Sequence, residues 1–156
     1  MKKGLHNLIK GERGNNIAIN WFLGNGFTVY KPAVDIEKID FIARKTFGGK
    51  SIKPHYFEIQ VKSNTEPAFY VPRREYGWSN ENYFYVFVQL PNKGEPRIYF
   101  MTQTEIKKLR YKSTRLLNWK KTKQFEKGTV VIRLSKEDQK IYDINKRKDL
   151  LKRRNV

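Results

Sequence analysis

The chain contains no cysteine and only two histidines, His6 and His55, among its 156 residues. The lack of cysteine excludes disulfide scaffolds, zinc ribbons, iron–sulfur clusters and thiol catalysis. Two histidines are too few for a histidine-rich metal cage, and their positions suggest no Ser–His–Asp arrangement. No apolar run approaches the roughly 18 residues that a membrane span requires. No apolar signal segment follows the basic start of the chain, so we expect a cytoplasmic protein with no membrane partner.

Acidic residues are also scarce: 15 stand against 33 lysines and arginines, which gives a formal net charge of +18. Residues 1–106 carry 15 basic and 10 acidic side chains, whereas residues 107–156 carry 18 and 5. Such an excess of positive charge destabilises the folded protein through repulsion between like charges, and it therefore indicates an anionic partner. Nucleic acid is the first candidate and an anionic membrane surface the second. The plain alternative is a solvated surface that keeps the protein in solution.

Aromatic residues reach 14% of the chain, which argues against a disordered protein. The length fits one domain, which we expect over residues 1–145, followed by a basic end over 146–156 that is helical or flexible. Periodicity predicts helices and strands with a loop-rich stretch at 64–81. The predicted helices cover 5–24, 102–109 and 135–151, and the predicted strands cover 27–30, 39–44, 56–63, 83–90, 97–101 and 129–134. This order predicts an α/β or α+β domain with a mixed sheet.

Two of the predicted strands carry polar side chains that require an explanation. Asp40 lies within the apolar segment 39–42, and Glu58, Gln60 and Lys62 alternate along the later strand. Side chains alternate with a period of two, so these three lie on one face while Phe57 and its apolar neighbours lie on the other. If the two strands pair as a hairpin, the Asp40 carboxylate approaches Gln60 and Lys62.

This set of residues suits phosphodiester cleavage, which uses a hard cation such as Mg²⁺ or Mn²⁺ held by oxygen ligands. Asp40 offers a carboxylate oxygen and Gln60 a neutral carbonyl oxygen. Lys62 can orient or activate the attacking water and stabilise the negative charge that develops on the phosphate. The plain alternative is that Asp40, Gln60 and Lys62 form the solvated face of an ordinary strand.

The chain resembles the PD-(D/E)XK nuclease superfamily in three features. These are the acid in segment 39–42, the strand segment 59–63, and a preceding helix that ends near Gly26. The likeness is to its restriction-endonuclease-like and Holliday-junction-resolvase-like members, in a Gln-X-Lys variant. It implies a restriction-endonuclease-like mixed sheet flanked by helices, with Asp40 as metal ligand, Gln60 in place of the usual Glu, and Lys62 as catalytic lysine. Many members also place a Glu on the first helix, where this chain has Asn15. Against that pattern, Glu12, about one helical turn earlier, and Glu58 are the candidate acids that could replace it as metal ligands.

The resemblance implies a Mg²⁺-dependent (or Mn²⁺-dependent) DNA endonuclease that cuts branched or structured DNA, and a homodimer is a further expectation. Two alternatives remain open. One is a DNA-binding module that keeps the fold without the chemistry, and the other is a basic RNA-binding protein whose strands imitate the motif.

Basic residues interleaved with aromatic ones predict nucleic-acid contacts, because aromatic rings stack on bases and cations hold phosphates. The alternative is a surface loop that packs its own tryptophan. The candidate nucleic-acid-binding residues are Arg73, Arg74, Trp78, Lys120, Lys121, Lys123, Lys146 and Arg147.

Overall fold

The computed structural model describes residues 3–33, 38–47, 53–72, 81–116 and 129–153. Arg73, Arg74, Trp78, Lys120, Lys121 and Lys123 lie outside these residues. Along the described chain the elements are α1 (Lys3–Gly24), β1 (Thr28–Tyr30), β2 (Phe41–Thr46), β3 (Pro54–Asn64), β4 (Ala68–Pro72), β5 (Tyr83–Gln89), β6 (Arg97–Thr102), α2 (Gln103–Leu116), β7 (Thr129–Arg133), α3 (Lys136–Ile141) and α4 (Leu150–Arg153). Within the described part of the chain, no helix is long and apolar enough to cross a membrane.

A mixed five-stranded sheet forms the centre of the fold, in the strand order β1-β2-β3-β5-β6. β3 pairs antiparallel with β2 and parallel with β5, so it lies in the middle of the sheet. The strands that carry Asp40 and Gln60 therefore pair as an antiparallel hairpin, which is the condition for Asp40 to approach Gln60 and Lys62. β4 and β7 form a separate antiparallel pair.

Alternation along the strands sends side chains to two different apolar clusters. On the α1 face, Phe57, Ile59 and Val61 of β3 join Ala18 and Phe22 of α1. On the other face, Tyr83, Tyr85 and Phe87 of β5 pack with residues of β4, β7 and α2, and the rings of Phe69 and Phe87 stack at 4.4 Å. Helices and strands thus cover both faces of the near-continuously apolar β5, as its sequence predicts.

Only the second half of α1 packs on the sheet. Gly14, Ala18 and Phe22 are buried at helical spacing, whereas Leu5 and Leu8 are exposed. Leu5 and Leu8, which lie in the first turns of α1, therefore do not join the core. Gly14 allows close contact, because a Cβ atom there would lie 2.5 Å from Cβ of Ser63 at the end of β3.

Two further sequence predictions differ from the structure. The predicted loop-rich stretch contains β4, whose pairing with β7 depends on a partner that is distant in sequence. The predicted helix over 135–151 ends at Ile141, and the chain then turns, with an isolated bridge between Asp143 and Tyr99. Leaving the helical path puts Ile144 and Leu151 in the α1-side core, whereas Lys146 and Lys148 between them are exposed.

Candidate active site

Asp40 lies immediately before β2, where the backbone turns away from β3. Lys38 has a positive φ of 57°, so the chain has left the sheet two residues before Asp40. The backbone N–H of Asp40 still donates to Ile59 O at 2.9 Å. Its Oδ2 accepts the Val61 N–H at 2.6 Å. The carboxylate thus forms the next hydrogen bond to β3, at the point where backbone pairing between β2 and β3 has ended. Along β3 this point, Val61, lies between Gln60 and Lys62.

Gln60 is the buried member of the site, with 3% of its surface exposed. Its Oε1 accepts a hydrogen bond from Tyr83 Oη at 2.8 Å. Tyr83 Oη also lies 3.3 Å from Lys38 O, so this one phenol joins β5, β3 and the turn before Asp40. A buried amide requires such a partner, because an unsatisfied polar group costs roughly 1–3 kcal/mol.

Lys62 and Glu58 are half-buried on the same face of β3 as Gln60. Lys62 lies opposite Phe87 of β5, and Glu58 lies opposite Ile42 of β2 and Tyr83 of β5. Each is two residues from Gln60, or about 7 Å along the strand. Lys62 is therefore next to the Asp40 carboxylate along β3, whereas Glu58 lies at the far side of Gln60.

These residues offer a small set of metal ligands. Within the described residues, no group of three or more histidines, cysteines or acids is placed to hold a metal ion. The candidate donors are the Asp40 carboxylate, the Gln60 amide oxygen and nearby backbone carbonyls. Mg²⁺ commonly takes one or two carboxylates and completes its shell with water and phosphate oxygens. The residues present therefore fit a Mg²⁺ ion that is shared with a phosphate, and they do not form an all-protein cage.

The first helix contributes a contact to this end of β3, although not the predicted acid. Glu12 is exposed, and Gly14 is the residue that faces Ser63. Ser63 Oγ donates to Lys10 O at 3.1 Å, and Lys10 Nζ lies 3.5 Å from Asn64 Oδ1. α1 thereby fixes the segment directly after Lys62.

The two described members of the predicted nucleic-acid set differ sharply. Lys146 is exposed. The Arg147 side chain has only 11% of its surface exposed and forms an ion pair with Glu105, and its Nη1 also donates to Phe100 O at 2.7 Å. These contacts make Arg147 a structural residue that ties the C-terminal segment to β6 and α2.

Sequence reasoning missed Tyr83 and Gly14. In the sequence, Tyr83 resembles the other buried residues of its apolar strand. Its hydrogen bond to Gln60 depends on the parallel register of β3 and β5, which places Tyr83 opposite Glu58. Gly14 reads as a weak point in a helix. A glycine inside an otherwise regular helix often has a packing reason, and that signal could have identified it.

No protein-family model matches the chain. No curated protein matches it either. Among solved structures, it is similar to Hjc, a Holliday junction resolvase from the archaeal hyperthermophile Archaeoglobus fulgidus. The TM-score is 0.50 at 16% sequence identity, over 87% of this chain and 98% of that one. The predicted fold is confirmed: the chain is an α/β domain with a restriction-endonuclease-like mixed sheet flanked by helices, as in the Hjc structure.

Proposed function

We propose that the protein is a metal-dependent DNA endonuclease that hydrolyses a phosphodiester bond at Asp40, Gln60 and Lys62. The observation that supports this most directly is the Asp40 Oδ2 to Val61 N hydrogen bond of 2.6 Å. It fixes a carboxylate at the point of β3 that separates the amide from the lysine. A strand face used only for solubility has no need for an acid fixed in this way.

In the proposed mechanism, Asp40 and Gln60 would hold Mg²⁺ or Mn²⁺, and the bound ion would offset charge on the phosphate. The Val61 N–H orients the Asp40 carboxylate, and the Tyr83 hydroxyl orients the Gln60 amide. Lys62 orients the attacking water and stabilises the charge that develops on the phosphate oxygens. The water oxygen forms the new bond to phosphorus as the bond to the leaving oxygen breaks; the attacking water releases one proton to solvent, and the leaving oxygen takes one up from solvent.

Branched DNA is the substrate class that we propose to test first. The similar structure from Archaeoglobus fulgidus is that of a Holliday junction resolvase, and the net charge of +18 suits a partner dense in phosphates. Cutting both strands of a junction takes two active sites, so a homodimer belongs to this proposal.

A second function is favoured by the chemistry of Gln60. The residue is neutral, buried and hydrogen-bonded by Tyr83, so the site has one carboxylate fewer than the Glu-containing pattern. A DNA-binding module that kept the fold without cleavage would tolerate this change.

Cleavage assays separate the two functions. Wild type, Asp40→Asn and Lys62→Met are incubated with four-way junction, linear duplex and supercoiled DNA in Mg²⁺ or Mn²⁺. Asparagine retains an oxygen that accepts the Val61 N–H, and methionine retains much of the length of the lysine stem, so both variants should fold. Lys93→Ala, at an exposed lysine of the β5–β6 loop, is the matched control.

We expect wild type and the control to cut, with both site variants reduced by about 100-fold or more. If all four proteins bind DNA equally and none cuts, the nuclease proposal is wrong and the binding module is correct. A marked preference for structured RNA over DNA at equal salt would instead identify an RNA-binding protein.

A further inference from the structure

A groove whose lining includes neither Asp40 nor Gln60 lies where the C-terminal end of β5 meets β6 and α3. Its volume is about 520 Å³. The cationic lining residues are Arg97, Lys136, Lys140 and Lys146. The proposed cleavage chemistry does not use any of these four residues.

The four cations are exposed at the rim of the groove. Within the described residues, Lys136, Lys140 and Lys146 take part in no ion pair. Lys136 and Lys140 are four residues apart on α3, a spacing at which like charges destabilise a helix. Asp143 is the single acid among the lining residues, and its Oδ1 accepts the Asn145 N–H at 2.9 Å within its own turn.

The floor of the groove is polar and uncharged. Tyr99 Oη lies 2.9 Å from Gln89 Oε1 and 3.2 Å from Gln139 Oε1. Arg97 Nη1 donates to the same Gln139 oxygen at 3.3 Å. Burial raises the pKa of Tyr99 despite the neighbouring arginine, so the phenol stays a neutral donor at physiological pH. A cationic rim over a neutral hydrogen-bonding floor favours an extended anion over a small apolar ligand.

The groove and the candidate active site are related through the register of the parallel strands. Lys62 of β3 lies opposite Phe87 of β5, and Gln89 of the groove follows two residues later. Gln89 Nε2 also contacts Thr65 O, just after β3, at 3.4 Å. The groove therefore lies at the C-terminal end of the parallel strands β3 and β5, on the side of Lys62 that leads away from Gln60.

We propose that this groove binds the phosphodiester backbone of DNA beyond the scissile phosphate, through Arg97, Lys136, Lys140 and Lys146. This inference rests on the proposed function, since it assigns the same DNA a second contact. Lysines on a rim hold phosphates as point charges and fix the position of DNA without reading its bases. Binding at the groove should therefore be independent of sequence and strongly dependent on salt.

The test compares two variants that lose the same charge. The groove variant carries Lys136→Gln, Lys140→Gln and Lys146→Gln. The control carries Lys31→Gln, Lys53→Gln and Lys107→Gln, at exposed lysines that do not line the groove. Affinity for duplex and four-way junction DNA is measured from about 50 to about 300 mM salt in EDTA, which prevents cleavage, and circular dichroism checks folding.

In the groove variant, the plot of log affinity against log salt concentration should be less steep than in wild type, by about 2 to 3 units of slope. Near 0.1 M salt the groove variant should bind DNA about 100-fold more weakly than wild type. The control should keep a slope close to that of wild type. Equal losses in both variants would overturn the groove, because the effect would then come from net charge alone. Competition by polyglutamate as effective as that by DNA would overturn it as well, by identifying an acidic polypeptide as the partner.

A second assay, cleavage of DNA by wild type in Mg²⁺, tests the proposed function independently of the binding measurements. If wild type does not cut but only the groove variant loses salt-dependent binding, the nuclease proposal fails and the groove is supported. If wild type cuts and the two variants bind alike, the groove proposal fails and the nuclease is supported.

Discussion

Gly14 gives the sharpest test of how α1 supports the site. An added Cβ atom at Gly14 would lie 2.5 Å from Cβ and 2.9 Å from Oγ of Ser63. Both Cβ atoms are bonded directly to backbone, so no side-chain rotation can relieve the contact. A Gly14→Ala substitution must therefore move α1 away from β3 or distort both.

The expected magnitude combines two opposing effects. Overpacking a close contact costs typically about 1–3 kcal/mol, and the rigid geometry here puts the cost near the upper end. Alanine in a helix interior gains about 1 kcal/mol over glycine. The net prediction is a destabilisation of about 2 kcal/mol, which lowers the melting temperature by about 4–8 °C for a domain of this size.

Gly11 is the matched control, since it lies in the same helix and a Cβ atom there would meet nothing within 4 Å. Gly11→Ala should raise the free energy of unfolding by about 1 kcal/mol. A second variant, Ser63→Gly, removes the side-chain atoms that the new methyl group of Gly14→Ala would strike, although it also removes the hydrogen bond to Lys10 O. A double-mutant cycle separates these effects and should show favourable coupling between the two changes.

Thermal and urea denaturation of wild type, the three single variants and the double variant provide the measurement. The reasoning is refuted if Gly14→Ala is as stable as Gly11→Ala, or if Ser63→Gly does not reduce the cost of Gly14→Ala. Because Ser63 follows Lys62 directly, any DNA cleavage should fall with Gly14→Ala and not with Gly11→Ala.

Two further predictions concern the elements that carry the rest of the fold. Burial by itself would raise the pKa of Glu105, but the hydrogen bonds and charge of Arg147 and the hydrogen bonds of Thr102 lower it overall. A lowered pKa means that the carboxylate stabilises the fold at pH values above its ordinary pKa of 4.5 and loses this effect as the pH falls. Glu105→Gln should therefore lower the free energy of unfolding by about 1–3 kcal/mol at pH 7 and by less near pH 3. A difference from wild type that does not change with pH would contradict this prediction. Ser135 caps α3 in a reciprocal capping box with Asp138, so Ser135→Ala should cost about 1 kcal/mol in urea unfolding, whereas the exposed neighbour change Lys136→Ala should cost little.

Much of the fold could be predicted from the sequence, because the central strands bury one or both faces. Alternating or continuous apolar residues in 56–63 and 83–90 correctly located β3 and β5. β4 could not be found in this way, because its stability comes from pairing with the distant β7 and its short sequence ends in Pro72. The end of α3 was missed for a related reason: burial of Ile144 in the core outweighs the helical preference of the charged segment 135–151.

The candidate site shows the same division. The period of two along β3 placed Glu58, Gln60 and Lys62 on one face, and the pairing of β3 with the Asp40 strand, which was only a condition at the level of the sequence, is present in the structure. The hydrogen bonds that orient the site come from outside that pattern. Tyr83 lies 23 residues after Gln60, and its contribution follows from the parallel register of β3 and β5, which side-chain periodicity does not encode.

The burial of Gln60 explains why a neutral residue is suited to this position and what it implies for metal binding. A carboxylate with 3% of its surface exposed would carry a large desolvation cost, which a nearby cation must offset, whereas the amide is neutral and its oxygen accepts a hydrogen bond from the Tyr83 hydroxyl. The proposed site therefore gains stability without metal and loses intrinsic affinity for metal. An ion held by Asp40 and one amide needs the DNA phosphate as a further ligand, so metal and DNA should bind cooperatively. This coupling is reciprocal by thermodynamic necessity: the factor by which DNA strengthens metal binding equals the factor by which metal strengthens DNA binding.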